Sequence, residues 1–136
     1  MLNINDELGA WIKEKLTQKV EEKEIYLLQN KEKVIQALNL SPDGKVILLK
    51  TDLSAKLKIL LCYIGAAYAK RGGLREEDSV SNSEIYEWTL LPKGTVKPII
   101  KKLKEEHYII PDKKEGVYVI DYRKIGEILD EVLGKG

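Results

Sequence analysis

Five lysines and no acid lie between Trp88 and Lys104: Lys93, Lys97, Lys101, Lys102 and Lys104. Lys97, Lys101 and Lys104 recur at the spacing that places side chains along one side of a helix. A row of ammonium groups is a set of compact point charges suited to phosphate oxygens. Two more, Lys113 and Lys114, stand in the polar segment PDKKEG. Charge alone is equally compatible with a solvated lysine face. Other chemistry is thin. His107 is the sole histidine and Cys62 the sole cysteine, which leaves no catalytic dyad, zinc site or disulfide framework to expect. Glu76, Glu77 and Asp78 are consecutive acids in a polar stretch and are expected to face solvent. Gly72-Gly73 has no phosphate-loop context. With no nucleophile and base to pair, neither an enzyme nor a cofactor is expected.

The lysine row needs a helix beneath it. Val96, Ile99, Ile100 and Leu103 follow the i, i+3, i+4, i+7 pattern of a buried helical face. A proline nitrogen donates no hydrogen bond and belongs in a first turn. With Thr95 as N-cap, Pro98 falls at the third helical position, so the helix is expected to start at Thr95 or Val96. It must stop at His107, which is expected in a left-handed conformation. Tyr108–Ile110 and Val117–Ile120 then read as the strands of a hairpin with PDKKEG at its tip. Upstream, Ser81 or Asn82 caps a short helix that carries Ile85 and Trp88 inward. Leu90 to Gly94 is a tight connection anchored by Leu91.

Behind these, Ala55–Lys70 is the most apolar helix, capped by Asp52 or Ser54. Its expected buried side is Leu57, Leu60, Leu61, Ile64, Ala67 and Tyr68. Gly65, Ala66 and Ala67 keep it thin enough for a second helix to cross. Gly72-Gly73 ends it, and LREEDSV follows as a loop with Val80 in a brief strand. Asp121 opens a last helix with Tyr122, Ile125, Ile128, Leu129 and Val132 on one stripe. That helix is too short to stand alone, and packs on its own domain or on a twin in a dimer.

Residues 10–41 contain no glycine or proline. Helices are expected over about 6–39, with a break within 21–31. Asn5 or Asp6 would cap the first, whose apolar side is Leu8, Trp11, Ile12, Leu16 and Val20. Ile25, Tyr26, Leu27 and Leu28 point all round a helix, so this segment is either buried on every side or a strand. Ser41-Pro42-Asp43-Gly44 is a turn. Lys45–Lys50 is a short strand that adds an edge to the hairpin or links the first helices to the rest.

At 136 residues the chain can build one core, or a small domain with an appendage. Apolar residues at 43% and charged residues at 33% describe a folded, soluble protein. Its net charge is only +1, so basic character is local to the lysine row. No apolar run approaches the roughly 18 to 20 residues that cross a bilayer, and MLNINDELGA lacks a signal-peptide pattern. The expected place is the cytoplasm. Abundant Lys, Glu, Ile and Leu with few Gln and Cys is similar to thermophile usage.

In order, residues 53–121 read helix, short strand, helix, turn, helix, hairpin. This order, and the stretch SNSEIYEWTLLPKGTVKPIIKKLKEEHYII, resembles the winged helix-turn-helix superfamily of archaeal and bacterial transcriptional regulators. The resemblance covers about half the chain. It implies a mainly α fold with a small β-hairpin (α+β). Residues 1–50 would form an N-terminal helical extension ending in a short strand, 51–121 the winged helix-turn-helix, and 122–136 a C-terminal helix. It further implies that Thr95 to Glu106 lies in a major groove and that the hairpin tip meets backbone or minor groove. Lys93, Lys97, Lys101 and Lys104 would then face double-stranded DNA, with Lys113 and Lys114 on the wing. Thr95 would reach a phosphate or a thymine methyl. The helix holds no arginine, asparagine or glutamine, the better readers of base edges, so strong backbone binding with modest base discrimination is expected. The function implied is a DNA-binding transcriptional regulator, homodimeric through its N-terminal and/or C-terminal helices. The alternative is a winged-helix protein-interaction module in a transcription or replication assembly.

Overall fold

A computed structural model describes residues 4–15 and 20–134. The described chain is mainly helical, with two small antiparallel hairpins. Its helices are α1 (Ile4–Lys15), α2 (Val20–Gln29), α3 (Lys31–Ala37), α4 (Ala55–Arg71), α5 (Asn82–Thr89), α6 (Lys93–Glu105) and α7 (Ile125–Val132). Strands β1 (Leu38–Leu40) and β2 (Val46–Leu48) pair with each other, and β3 (Ile109–Pro111) pairs with β4 (Tyr118–Ile120). No described helix is long and apolar enough to cross a membrane.

The molecule is built round α4. The Ser54 hydroxyl accepts from the Leu57 amide at 3.3 Å and starts the helix. At its far end Gly73 takes a φ of 75°, the Gly73 amide returns to Lys70 and the Leu74 amide to Ala69. That pair of bonds is a Schellman cap, which needs the left-handed conformation glycine adopts cheaply. Burial extends round nearly the whole helix, including Ile59, Cys62, Tyr63 and Ala69, and is not confined to the one stripe its spacing suggests. Tyr68, expected inward, is half-buried, and its hydroxyl donates to the Leu27 carbonyl at 2.6 Å. The thin patch at Gly65 admits a strand, not the helix expected. Val46 of β2 lies so close that a β-carbon on Gly65 would overlap its methyl groups.

The N-terminal third differs most from expectation. Asn5 and Asp6 lie within α1, so neither caps it. Leu8, Trp11 and Ile12 are exposed on this helix instead of forming a buried side. Leu16 falls outside the described residues. The break comes at Asn30, whose Nδ2 donates to the Tyr26 carbonyl at 2.7 Å. Ile25–Leu28 is helical yet only Leu27 is buried, so it is neither a strand nor enclosed on all sides. The chain becomes extended at Leu38, where helix was expected through 39, because Leu38–Leu40 pairs with Val46–Leu48 across the predicted turn. This hairpin forms its own sheet and adds no edge to β3–β4. Leu27, Val34, Ala37, Leu38 and Val46 share one apolar core with α4 and α7.

Ser81 opens α5 with a reciprocal capping box: its hydroxyl accepts from the Glu84 amide and Glu84 accepts from the Ser81 amide. Val80, ahead of it, donates its amide to the Tyr118 carbonyl at 2.9 Å and forms an antiparallel bridge with β4. Asp121 accepts from the Arg123 amide and starts a 3₁₀ turn, Tyr122–Lys124, that leads into α7. Ile125, Ile128, Leu129 and Val132 are all buried against the same chain. The apolar stripe of the last helix is therefore spent inside its own domain and offers nothing to a twin.

Candidate functional site

Helix α6 starts earlier than its proline suggests. Pro92, not Thr95, is the N-cap, and its carbonyl accepts from the amides of Thr95 and Val96 at 3.0 and 3.1 Å. Pro98 is consequently the sixth helical residue and leaves the Gly94 carbonyl without an intrahelical donor. Gly94 is exposed, so solvent can take that place. Val96, Ile100 and Leu103 hold the helix down, each buried. Removing such a side chain from water is worth roughly 2 kcal/mol.

The end of α6 matches its reading. His107 sits at φ 64°, its amide returns to the Lys104 carbonyl and the Tyr108 amide to that of Leu103. This second Schellman cap directs the chain into β3, with His107 in the place glycine usually holds.

The apolar anchors fix which way the lysines face. Helical geometry sets Lys93, Lys97, Lys101 and Lys104 along one flank, and all four are exposed. Lys93 Nζ lies 5.7 Å from the ring centre of Tyr86, and Lys104 Nζ lies 5.8 Å from that of Tyr118. Each contact steers a lysine over the electron-rich face of a tyrosine from a neighbouring element. Among the described residues no carboxylate pairs with any of the four. Lys102, on the opposite flank, does have one, Glu106, at 4.0 Å.

Three expected members stand apart. Thr95 is half-buried across the helix, on the flank of Ile99 and Lys102, and does not join the lysine row. Lys113 and Lys114 are exposed on the hairpin tip but border a cavity of about 390 Å³ with Glu77, Glu84 and Asp112. Arg75, in the same lining, pairs with Glu84, which leaves Glu77 and Asp112 beside the two lysines. The outermost row of α6 holds Gly94 and Pro98, which carry no side-chain hydrogen-bonding group, and the carboxylate of Glu105. Together the four lysines set exposed cations, without carboxylate partners among the described residues, along one flank of a helix anchored in the core.

The loop before α5 is ordered by Arg75. Its guanidinium bonds the Glu84 carboxylate at 2.9 Å, the Glu77 and Ser79 carbonyls, and lies 5.3 Å from the ring centre of Trp88, which is half-buried. Burial acts to raise the Glu84 carboxyl, but the Arg75 and Ser81 hydrogen bonds and the Arg75 charge outweigh it and hold it below its usual range. Asp78, expected in solvent, is only 8% exposed. Tyr122 donates its hydroxyl to Asp78 at 2.7 Å, and Lys70 lies 3.8 Å away. Among the described residues no group of His, Cys, Asp or Glu is placed to hold a metal ion. Cys62 is buried in α4, and desolvation pushes its thiol far up, which makes it an inert core residue.

Leu90 was missed in its role. It is the left-handed C-cap of α5 and the most exposed large apolar residue described. Leu91 is the inward anchor expected of it, but nothing in the doublet marked Leu90 as a left-handed, exposed position. The tyrosines beneath the lysines were also missed, since their meeting with α6 is set by tertiary packing. Set against protein-family models, curated proteins and solved structures, the chain gives no match.

Proposed function

We propose that residues 53–121 form a winged helix-turn-helix that binds double-stranded DNA, and that the protein is a transcriptional regulator. The observation that carries this reading is the exposed, unpaired row Lys93, Lys97, Lys101 and Lys104 on α6. Support comes from the order α4, Val80, α5, α6, β3, β4, with Val80 bridged to Tyr118. In such a module α6 is the recognition helix in the major groove and the β3–β4 hairpin is the wing. The lysines neutralise phosphates, and the absence of arginine, asparagine and glutamine from α6 makes base discrimination modest. On this reading the wing takes a smaller share of the affinity than α6, because Lys113 and Lys114 stand beside Glu77 and Asp112 while the four lysines of the α6 row have no carboxylate partner among the described residues. Thr95 contributes little, because it lies across the helix from the lysines.

The homodimer belongs to the same proposal. α7 is spent in its own core, so α1 supplies the contact: Leu8 and Trp11 are 54% and 50% exposed there. Two modules related by a two-fold axis would present paired recognition helices to successive turns of DNA. Fluorescence anisotropy on a random-sequence duplex at two salt concentrations tests the DNA reading. Binding that weakens steeply with salt and is abolished by Lys97→Glu with Lys101→Glu is the expected result. Salt-insensitive binding, or none, favours the protein-interaction module.

A further inference from the structure

Leu90 carries two costs at one position. Its side chain is 86% exposed, and its backbone sits at φ 59°. The left-handed conformation crowds a β-carbon against the following carbonyl oxygen, and an exposed leucine forgoes the gain of burial. Its neighbours hold it there. The Leu90 amide donates to the Tyr86 carbonyl at 2.9 Å, and the Leu91 amide to Thr89 Oγ1 at 3.2 Å. That hydroxyl in turn donates to the Ile85 carbonyl at 2.6 Å. Leu91 packs against the core, and Pro92 opens α6. Glycine or asparagine would make the same turn with less strain and leave no large apolar group in water. Strain of this kind persists only where the surroundings over-determine it, and it gathers at functional sites.

Position gives the strain a use. Leu90 stands two residues ahead of Pro92, the N-cap of α6, at the helix end that the duplex-binding reading places in the groove. The C5-methyl of thymine is the one apolar group that the major groove displays. We infer that Leu90 packs on a thymine methyl and gives this lysine-lined interface a preference for A·T pairs. The inference rests on the duplex-binding reading above.

An alternating dA·dT duplex and the same duplex with every thymine replaced by uracil differ only in that methyl. The unsubstituted chain is expected to bind the first about fourfold tighter, the worth of one methyl group removed from water. Leu90→Gly and Leu90→Asn should bind both duplexes equally, while melting at or above the temperature of the unsubstituted protein. Equal binding of the two duplexes by the unsubstituted protein overturns the inference, as does a preference that survives both substitutions. In either case, binding that Lys97→Glu with Lys101→Glu still abolishes leaves the duplex reading standing. Absence of salt-sensitive binding to either duplex overturns both.

Discussion

Val46 packs directly on Gly65, with no room for a β-carbon between them. Through this contact the β1–β2 hairpin lies against the central helix, and Leu27, Val34, Ala37 and Leu38 join the same core as α6. From α2 through β2 the segment outside the helix-turn-helix resemblance is thus part of the scaffold.

Gly65→Ala tests that contact. Alanine should gain about 1 kcal/mol of helix propensity, but overpacking costs typically 1–3 kcal/mol. Both methyls and Cβ of Val46 are in the way, so a net loss of about 1 kcal/mol is expected in urea unfolding. Adding Val46→Ala should recover the overpacking part, and a double-mutant cycle would show the coupling.

His107 sits left-handed at the end of α6, where a β-carbon costs roughly 1–2 kcal/mol. His107→Gly should stabilise the fold by about 1 kcal/mol once glycine's greater unfolded-state entropy is deducted. Calorimetry should register this as a melting temperature higher by several degrees.

These two positions show what was legible and what was not. His107 could be read because the helix pattern stops there and a strand pattern begins, a conflict that only a sharp turn resolves. The cap at Asp121 was equally legible, and Ser54 and Ser81 were each one of two candidates, since capping is local chemistry. The strand Leu38–Leu40 was hidden, because its leucines extend the spacing of Val34 and its partner lies beyond a turn. Gly65 advertised a close approach without saying by what. The start of α6 was misplaced by treating Pro98 as decisive; Pro92 already fixes the entry backbone, and the lost bond falls at an exposed glycine. The helix beneath Lys97, Lys101 and Lys104 was legible from its spacing, and its earlier start brings Lys93 onto the same helix and the same flank. Thr95, at the other side of the same helix, shows that nearness in sequence does not put a residue on that flank.

Acid should unfold the protein through Glu84 and Asp121. Burial tends to raise both carboxyls, but hydrogen bonds and charge from Arg75 and Arg123 hold each below its ordinary value. A depressed folded-state value stabilises the fold above the unfolded carboxylate range, about pH 4. That contribution is lost as pH falls through the folded values. Glu84→Gln keeps the capping-box acceptor but removes the charge. Urea titrations from pH 7 down to pH 2 should show a shallower loss of stability for this variant than for the unsubstituted chain.

Trp11 carries the proposed dimer contact on α1. Sedimentation velocity should find a dimer for the unsubstituted chain and a monomer for Trp11→Lys, with melting temperature little changed because Trp11 is half-exposed in the single chain. A dimer that survives this substitution would remove α1 from the interface.

The most direct test of the lysine row is the salt slope. Each phosphate neutralised on duplex DNA contributes about −0.9 to the slope of log affinity against log salt. Replacing Lys97 and Lys101 with glutamine removes two exposed charges while keeping side-chain length and helix propensity. The slope measured by anisotropy on one duplex should become shallower by about two, with weaker binding at low salt. An unchanged slope and affinity would contradict the account, because the two lysines would then face solvent and not DNA.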